Sequence, residues 1–277
     1  MEEPLHPDDC RKETSTMRDS DHPEVDPPAL NERQAQIVAQ VERHGFVTID
    51  QLAREFAVSA QTVRREIIRL DELGVLRRFH GGAGRTGSGL RLSYDAKQAL
   101  DTDLKARIGT ASAARIAEGQ TIFLDVGTTA EAVARALVSH PALRVVTPSA
   151  TIARILSANA AVEVILTGGR IMGPDLSMAG PIAVRTVASY RFDQALIACS
   201  GIGHDGVLLD FNVDKIALKQ QAMQVASMKV LITDSGKLGR SALMAVAHID
   251  EFDLVVTDAP SETLPLHPQS TVQVIAA

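Results

Sequence analysis

Two periodicities divide this chain. From Asn31 to about Gly82 apolar residues recur at helical spacing, and from Thr121 onward they come as short unbroken runs. In the first stretch Ile37, Val38 and Val41 give a helical stripe that Gly45 stops. Leu52, Ala53 and Phe56 mark one face of a second helix starting near Asp50. Val58 is the apolar residue of a tight turn, and Ser59 stands where a helix N-cap belongs. Val63, Ile67 and Leu70 form the stripe of a longer third helix, which Gly74 ends as a C′ glycine would. Leu76–Phe79 reads as a strand closing on Gly81-Gly82. Helix, turn, longer basic helix and arginine-bearing hairpin, in that order, predict a winged helix-turn-helix, which lays one helix in the major groove of DNA.

The residues outside the core stripe carry the expected chemistry. Gln61 and Thr62 fall in the first turn of the third helix, the part that reaches base edges, with Arg64, Arg65 and Arg69 following. Gln pairs bidentately with adenine and Arg with guanine, and Arg also holds phosphate without reading sequence. Ser59 precedes this helix, and Arg77, Arg78 and His80 of the hairpin are placed to meet the DNA backbone. An amphipathic helix pair with a solvated charged face is the bland alternative. Cap, short turn, core stripe and basic hairpin occurring together favour the DNA reading.

The second stretch has another grammar. Thr121–Val126, Arg144–Thr147, Val162–Thr167, Gln194–Cys199, Lys229–Thr233 and Leu254–Thr257 are rich in Val, Ile and Leu without alternation, as strands buried on both faces are. Helix-length segments lie between most of them: Ala130–Ser139, Ala150–Ala158, Pro181–Tyr190 and Val213–Ser227, with another helix near Asp103–Glu118. This alternation predicts an α/β domain around a mainly parallel sheet, with its ligand at the carboxyl ends of the strands. Glycine- or hydroxyl-bearing loops follow five of those ends: Asp125-Val126-Gly127-Thr128-Thr129, Thr147-Pro148-Ser149, Gly168-Gly169-Arg170, Ser200-Gly201-Ile202-Gly203 and Asp234-Ser235-Gly236-Lys237. Each alone is a common turn. Gathered at one sheet edge, with Lys219 and Lys237 near, they suit a small anion.

Composition sharpens the picture once it is divided. The net charge of −6 is held by residues 1–30, with 3 basic against 9 acidic groups. Residues 31–86 carry 9 basic and 7 acidic groups, and Ser59–Arg85 alone carries 6 against 3. A patch this modest suits an oligomer that sums several of them on one DNA site. The Pro- and acid-rich residues 1–30 are expected to be a disordered tail. The expected organisation is that tail, a winged helix-turn-helix at 31–86, a linker at 87–102 and an α/β domain at 103–277. Without Trp, stacking on single-stranded bases is disfavoured. Cys10 and Cys199 are far apart and no metal-ligand spacing occurs, so neither metal nor cofactor is expected and a reduced, cytoplasmic setting is. No apolar run approaches the ~20 residues that span a bilayer.

From about Asn31 to Pro260 the chain resembles the DeoR family of bacterial transcriptional regulators. The resemblance rests on NERQAQIVAQVERHGFVTIDQLAREFAVSAQTVRREIIRLDELGVLRRFHGGA and, further on, on FLDVGTTAEAVARAL, RVVT, VILTGG, SGIGHDGVLLDFN and TDSGKLGRSAL. The last two, with Asp258-Ala259-Pro260, look closest to the glycerol-3-phosphate regulon repressor branch. The resemblance implies a sensor of phosphosugar-isomerase-like fold, a phosphorylated sugar or polyol effector that weakens DNA binding, and a homo-oligomer, dimer or tetramer. It implies effector roles for Lys105, for Asp125, Gly127, Thr128 and Thr129 as a DxGTT loop, for Gly168 and Gly169, for Lys219, and for Asp234 and Lys237 as DxxK. Thr147 and Ser149 at the second strand end join that set, as does Lys215, which reads equally as an exposed helix lysine. Three departures stand out: Pro148 where the family has Asn, Lys215 where it has Glu, and Glu66 where it has Asp.

A repressor released by a phosphorylated metabolite is the expected function. An activator shares the same domain plan. A sugar-phosphate isomerase-like enzyme would need a positioned general base, for which Asp125, Asp205 and Asp234 are the candidates.

Overall fold

The computed structural model describes residues 30–44, 46–79, 82–85 and 94–277. The acidic segment 1–29, His80 and the stretch 86–93 lie outside the described residues. The N-terminal unit comprises α1 (Glu32–His44), β1 (Phe46–Thr48), α2 (Ile49–Glu55), α3 (Ala60–Glu72), β2 (Leu76–Phe79) and β3 (Gly82–Arg85). The expected apolar stripes meet in one core of Ile37, Val41, Leu52, Val63, Ile67, Leu70 and Leu76. The wing is an antiparallel sheet in the order β1-β3-β2. Thr48 and Gln51 form a reciprocal capping box at α2. Ser59 caps α3, its hydroxyl accepting the Thr62 N–H at 3.2 Å. At the other end Gly74 takes a φ of +69°, Gly74 N–H bonds Asp71 O and Val75 N–H bonds Leu70 O, a Schellman stop.

The larger unit runs α4 (Tyr94–Ala99), α5 (Thr102–Ala113), β4 (Thr121–Leu124), α6 (Thr128–Ala136), β5 (Leu143–Thr147), α7 (Ala150–Leu156), β6 (Val162–Leu166), β7 (Arg170–Met172), β8 (Ser177–Ala179) and α8 (Pro181–Ala188). It continues with β9 (Phe192–Ile197), β10 (Gly201–Ile202), β11 (Val207–Asp210), α9 (Val213–Val225), β12 (Ala226–Ile232), β13 (Met244–His248), β14 (Leu254–Thr257) and β15 (Gln273–Ala276). Seven strands form one parallel sheet in the order β15-β14-β12-β9-β4-β5-β6. Apolar side chains on both faces require cover on both. On one face α5, α6 and α7 bring Ile108, Val133, Ile152 and Leu156 onto the sheet. On the other, α8 and α9 bring Val187, Ile216 and Ala222, joined by Leu208 and Val246 of the antiparallel β10-β11-β13 sheet.

This order places the candidate crevice. From β4 the chain adds β5 and β6 on one side, then returns to build β9, β12, β14 and β15 on the other. The strand order therefore reverses between β4 and β9, and their diverging connections leave a gap at the carboxyl ends, where open α/β sheets bind ligands. Residues 87–102, expected to be a linker, contain α4, whose Tyr94 and Lys97 reach that gap.

Candidate DNA-binding face and effector cavity

On α3 the residues opposite the core stripe are the expected ones. Gln61, Arg64, Arg65 and Arg69 are exposed, and Thr62 is half-buried. Arg64 and Arg65 have no ion-pair partner among the described residues, whereas Arg69 meets Glu72 at 3.5 Å. Ser59 and Thr62 share a hydroxyl–hydroxyl bond of 2.9 Å at the helix start, so part of their bonding capacity is committed to the cap. Arg78 is exposed on β2, with its backbone N–H donating to Asp71 Oδ1 at 2.9 Å. Arg77 lies on β2, its side chain outside the described set, as is all of His80. Glu66 points away from this face: it accepts a bond from Gln34 Nε2 at 2.8 Å and meets Arg33 at 3.7 Å, tying α3 to α1.

In the larger unit a cavity of about 280 Å³ opens at the switch point. Gly127, Thr128 and Thr129 after β4 form one wall, Ala198, Cys199 and Ser200 after β9 another, and Lys215 and Lys219 of α9 a third. Tyr94, Lys97, Asp175, Asp210, Asn212 and Lys237 also line it. Gly127 has a φ of +110°, with open space where a Cβ would point, and no side chain caps α6. The first-turn N–H groups of α6 therefore face the cavity region with the positive end of the helix dipole.

Beneath them lies a buried charge cluster. Lys219, 2% exposed, donates to Asp125 Oδ2 at 2.7 Å, to Ala198 O at 2.6 Å, and meets Asp210 Oδ2 at 3.0 Å. Burial alone would lower the lysine pKa; the two carboxylates outweigh it and raise it. Burial would raise Asp210, but Lys219, with the Phe211 N–H and the Ser200 hydroxyl, holds it far below the usual carboxylate range. Asp125 also accepts the Ala198 N–H at 2.9 Å, fixing the β4 and β9 ends together. Burial pushes the Cys199 thiol up to about 11. Burial and the 2.6 Å bond to Glu131 push Tyr94 up to about 12.

The remaining expected site residues divide. Lys237 lines the cavity and makes no ion pair among the described residues. Lys215 is not an exposed helix lysine: it is 9% exposed and ion-paired to Asp175 of the β7–β8 connection. Lys105 does not line this cavity. It is buried, its Nζ donates to the carbonyls of Lys97 and Leu100, and burial pulls it down to about 8. It therefore anchors the end of α4. Asp234 is buried close to Lys105, outside the lining. Thr147 and Ser149 are buried and bonded to their own loop, with Ser149 capping α7, and Gly168 and Gly169 make the turn after β6. Pro148 also lies away from the cavity, its carbonyl taking the Met178 N–H at 2.7 Å. Asp205, the enzyme candidate, sits in the β10–β11 turn and accepts the Val207 N–H. Tyr94, Asp175, Asp210 and Asn212 were not singled out from sequence. Asp210 and Asn212 lie inside the DFN-bearing motif, the one signal that pointed at them.

The cavity's carboxylates are thus all engaged: Asp210 with Lys219, Asp175 with Lys215, and Asp125 beneath with Lys219. Each is held by a lysine, whereas proton-transfer chemistry on a sugar needs a carboxylate positioned to take the proton.

Comparison with known proteins agrees. Residues 100–259 match the DeoR C terminal sensor domain and residues 33–88 the DeoR-like helix-turn-helix domain. The chain belongs to the DeoR family. It is therefore a DNA-binding transcriptional regulator and not an enzyme. It is 34% identical to the glycerol-3-phosphate regulon repressor of Escherichia coli (strain K12), over 86% of this chain and 92% of that one. It is 36% identical to the HTH-type transcriptional repressor CsqR of the same organism, over 82% of this chain and 87% of that one. The full-length sorbitol operon regulator SorC from Klebsiella pneumoniae superposes loosely, with a TM-score of 0.38 and 13% identity over 82% of this chain and 97% of that one. Among the described residues no helix of this DeoR-family chain is long and apolar enough to cross a membrane.

Proposed function

We propose that this DeoR-family regulator is a repressor released from its operator when a phosphorylated sugar or polyol, glycerol 3-phosphate among the candidates, enters the switch-point cavity. The observation that carries this reading is the cavity's charge. Four lysines and two aspartates line it, and the uncapped start of α6 opens beside them. Lys219 is neutralised by its carboxylates and Lys215 by Asp175, and Lys97 has partners of its own; Lys237 and the α6 N–H groups are the donors for the phosphoryl oxygens. The names of the similar glycerol-3-phosphate regulon repressor and CsqR support the repressor sense.

The protein works as a homo-oligomer, because paired recognition helices must span successive half-sites. Effector releases DNA only if it prefers a sensor arrangement incompatible with that spacing. Thermal unfolding of the full chain across a panel of phosphorylated sugars and glycerol 3-phosphate tests the ligand class. A true effector stabilises the folded chain by about 2.7 kcal/mol at a hundred times Kd, and its melting temperature climbs with the logarithm of ligand concentration. A panel that leaves the transition unmoved removes the phosphate reading.

A further inference from the structure

The cavity has two chemically different ends. At the floor, the start of α6 and Lys237 offer N–H donors, which suit an acceptor-only group such as phosphate. Lys219 marks that floor on α9, bonded to the Asp125 that precedes the α6 loop. Lys215 lies four residues earlier on α9, about 6 Å nearer the helix start at 1.5 Å per residue. There it meets Asp175, both side chains lining the cavity and mostly buried, at 10% and 18% exposure.

The bonding of this pair is incomplete. Lys215 has three N–H groups, and Asp175 is its one side-chain partner among the described residues. Asp175 uses Oδ2 for Lys215 and Oδ1 for the Ser177 hydroxyl at 3.0 Å, which leaves lone pairs on both oxygens. Asn212 beside them caps α9 through its Oδ1, leaving its NH₂ group without a partner among the described residues. A buried ion pair adds little net stability over apolar side chains of similar volume, so holding the fold does not explain this one. A hydroxyl both donates and accepts, so adjacent hydroxyls satisfy the ammonium and the carboxylate together. A second phosphate at this end would meet the Lys215 ammonium but also Asp175, whose charge repels it and whose lone pairs it has no proton to fill.

We infer that Asp175 and Lys215 set effector specificity by bonding adjacent hydroxyls of a polyol or sugar that carries a single phosphoryl group, and that bisphosphates are refused. This rests on the proposed phosphate-holding role of the cavity floor.

Calorimetric titration of the full chain tests it, with glycerol 3-phosphate, ribose 5-phosphate, glucose 6-phosphate, fructose 6-phosphate, fructose 1,6-bisphosphate and inorganic phosphate as probes. Wild type is expected to bind at least one monophosphate ten-fold or more tighter than inorganic phosphate and than the bisphosphate. Asp175→Asn separates hydroxyl recognition from bulk electrostatics by sign. Removing a negative charge should tighten every anion if charge alone acts. Loss of the hydroxyl contacts should instead weaken the preferred monophosphate by about 10- to 100-fold, the range of hydrogen bonds to charged groups, while inorganic phosphate holds or tightens. The double variant Asp175→Asn/Lys215→Gln leaves no unpaired buried charge, so it serves if the single one folds poorly, and should lose the same preference. Variants that keep the wild-type preference, or a bisphosphate that binds tightest, overturn the inference while the phosphate reading stands. A wild type that binds none of the panel overturns both.

Discussion

Single side chains carry most of the chemistry, and their surroundings decide what each can do. Arg65 is exposed on α3 and has no ion-pair partner among the described residues, so Arg65→Ala should weaken operator binding about ten-fold or more, flatten the salt dependence by about one phosphate contact and leave the melting temperature unchanged. Unaltered affinity in an anisotropy titration would refute the contact. Lys219 is the opposite case, since its loss strands two carboxylates. Lys219→Met should cost about 3–5 kcal/mol, measurable by chemical denaturation. Asp210 links the same cluster to pH. Its pKa is depressed in the folded state, so its stabilisation is present above the unfolded value near 4 and is lost as pH falls below that. The stability gap between wild type and Asp210→Asn should therefore shrink from pH 6 to pH 2; a constant gap contradicts the ion pairing. At this scale sequence legibility depended on whether partners were local. Gly127, Thr128 and Thr129 occupy one loop and were readable. Asp175, brought to Lys215 from 40 residues away, was not, and neither were the partners of Lys105, because only the fold shows that its ammonium ends α4.

Elements were legible where their boundaries carried chemistry. Ser59 and Gly74 bracket α3, and both behave as the sequence predicts. Ser59 thereby acquires two possible duties, cap and DNA contact, which substitutions separate. Ser59→Ala should destabilise the N-terminal unit by about 1 kcal/mol, whereas Ser59→Asn restores the cap. If the asparagine variant melts like wild type yet loses operator affinity, the hydroxyl itself touches DNA; equal affinity assigns Ser59 to the cap alone. All six apolar runs became strands of the parallel sheet because burial on both faces leaves an unbroken Val/Ile/Leu signal. The seventh, β15, is an edge strand with a partly exposed face, and its short Gln273–Ala276 run carried little of that signal. Helix α9 ends at Val225, two residues before the expected Ser227, because it passes directly into strand at Ala226 without glycine or proline. The polar α4 has no apolar stripe to read and is stabilised from outside, by Lys105 and by the Tyr94–Glu131 bond.

At the scale of the whole molecule, a basic face on the winged unit and a cavity proposed to bind an anion in the larger unit make a switch only if the two equilibria are coupled. The segment between them is suggestive: α4 follows the wing in sequence, lies beside β1, and carries Tyr94 and Lys97 into the cavity wall. Occupancy of the cavity can thus bear on the winged unit through one short helix. Coupling is measured most directly by anisotropy of the full chain on a duplex selected from a random pool, titrated with and without the monophosphate that most raises its melting temperature. A regulator released by its ligand should show at least a ten-fold higher Kd for the duplex at saturating ligand. Reciprocally, the duplex should weaken the ligand by the same factor. An identical duplex Kd with the cavity filled would contradict a ligand-released repressor outright.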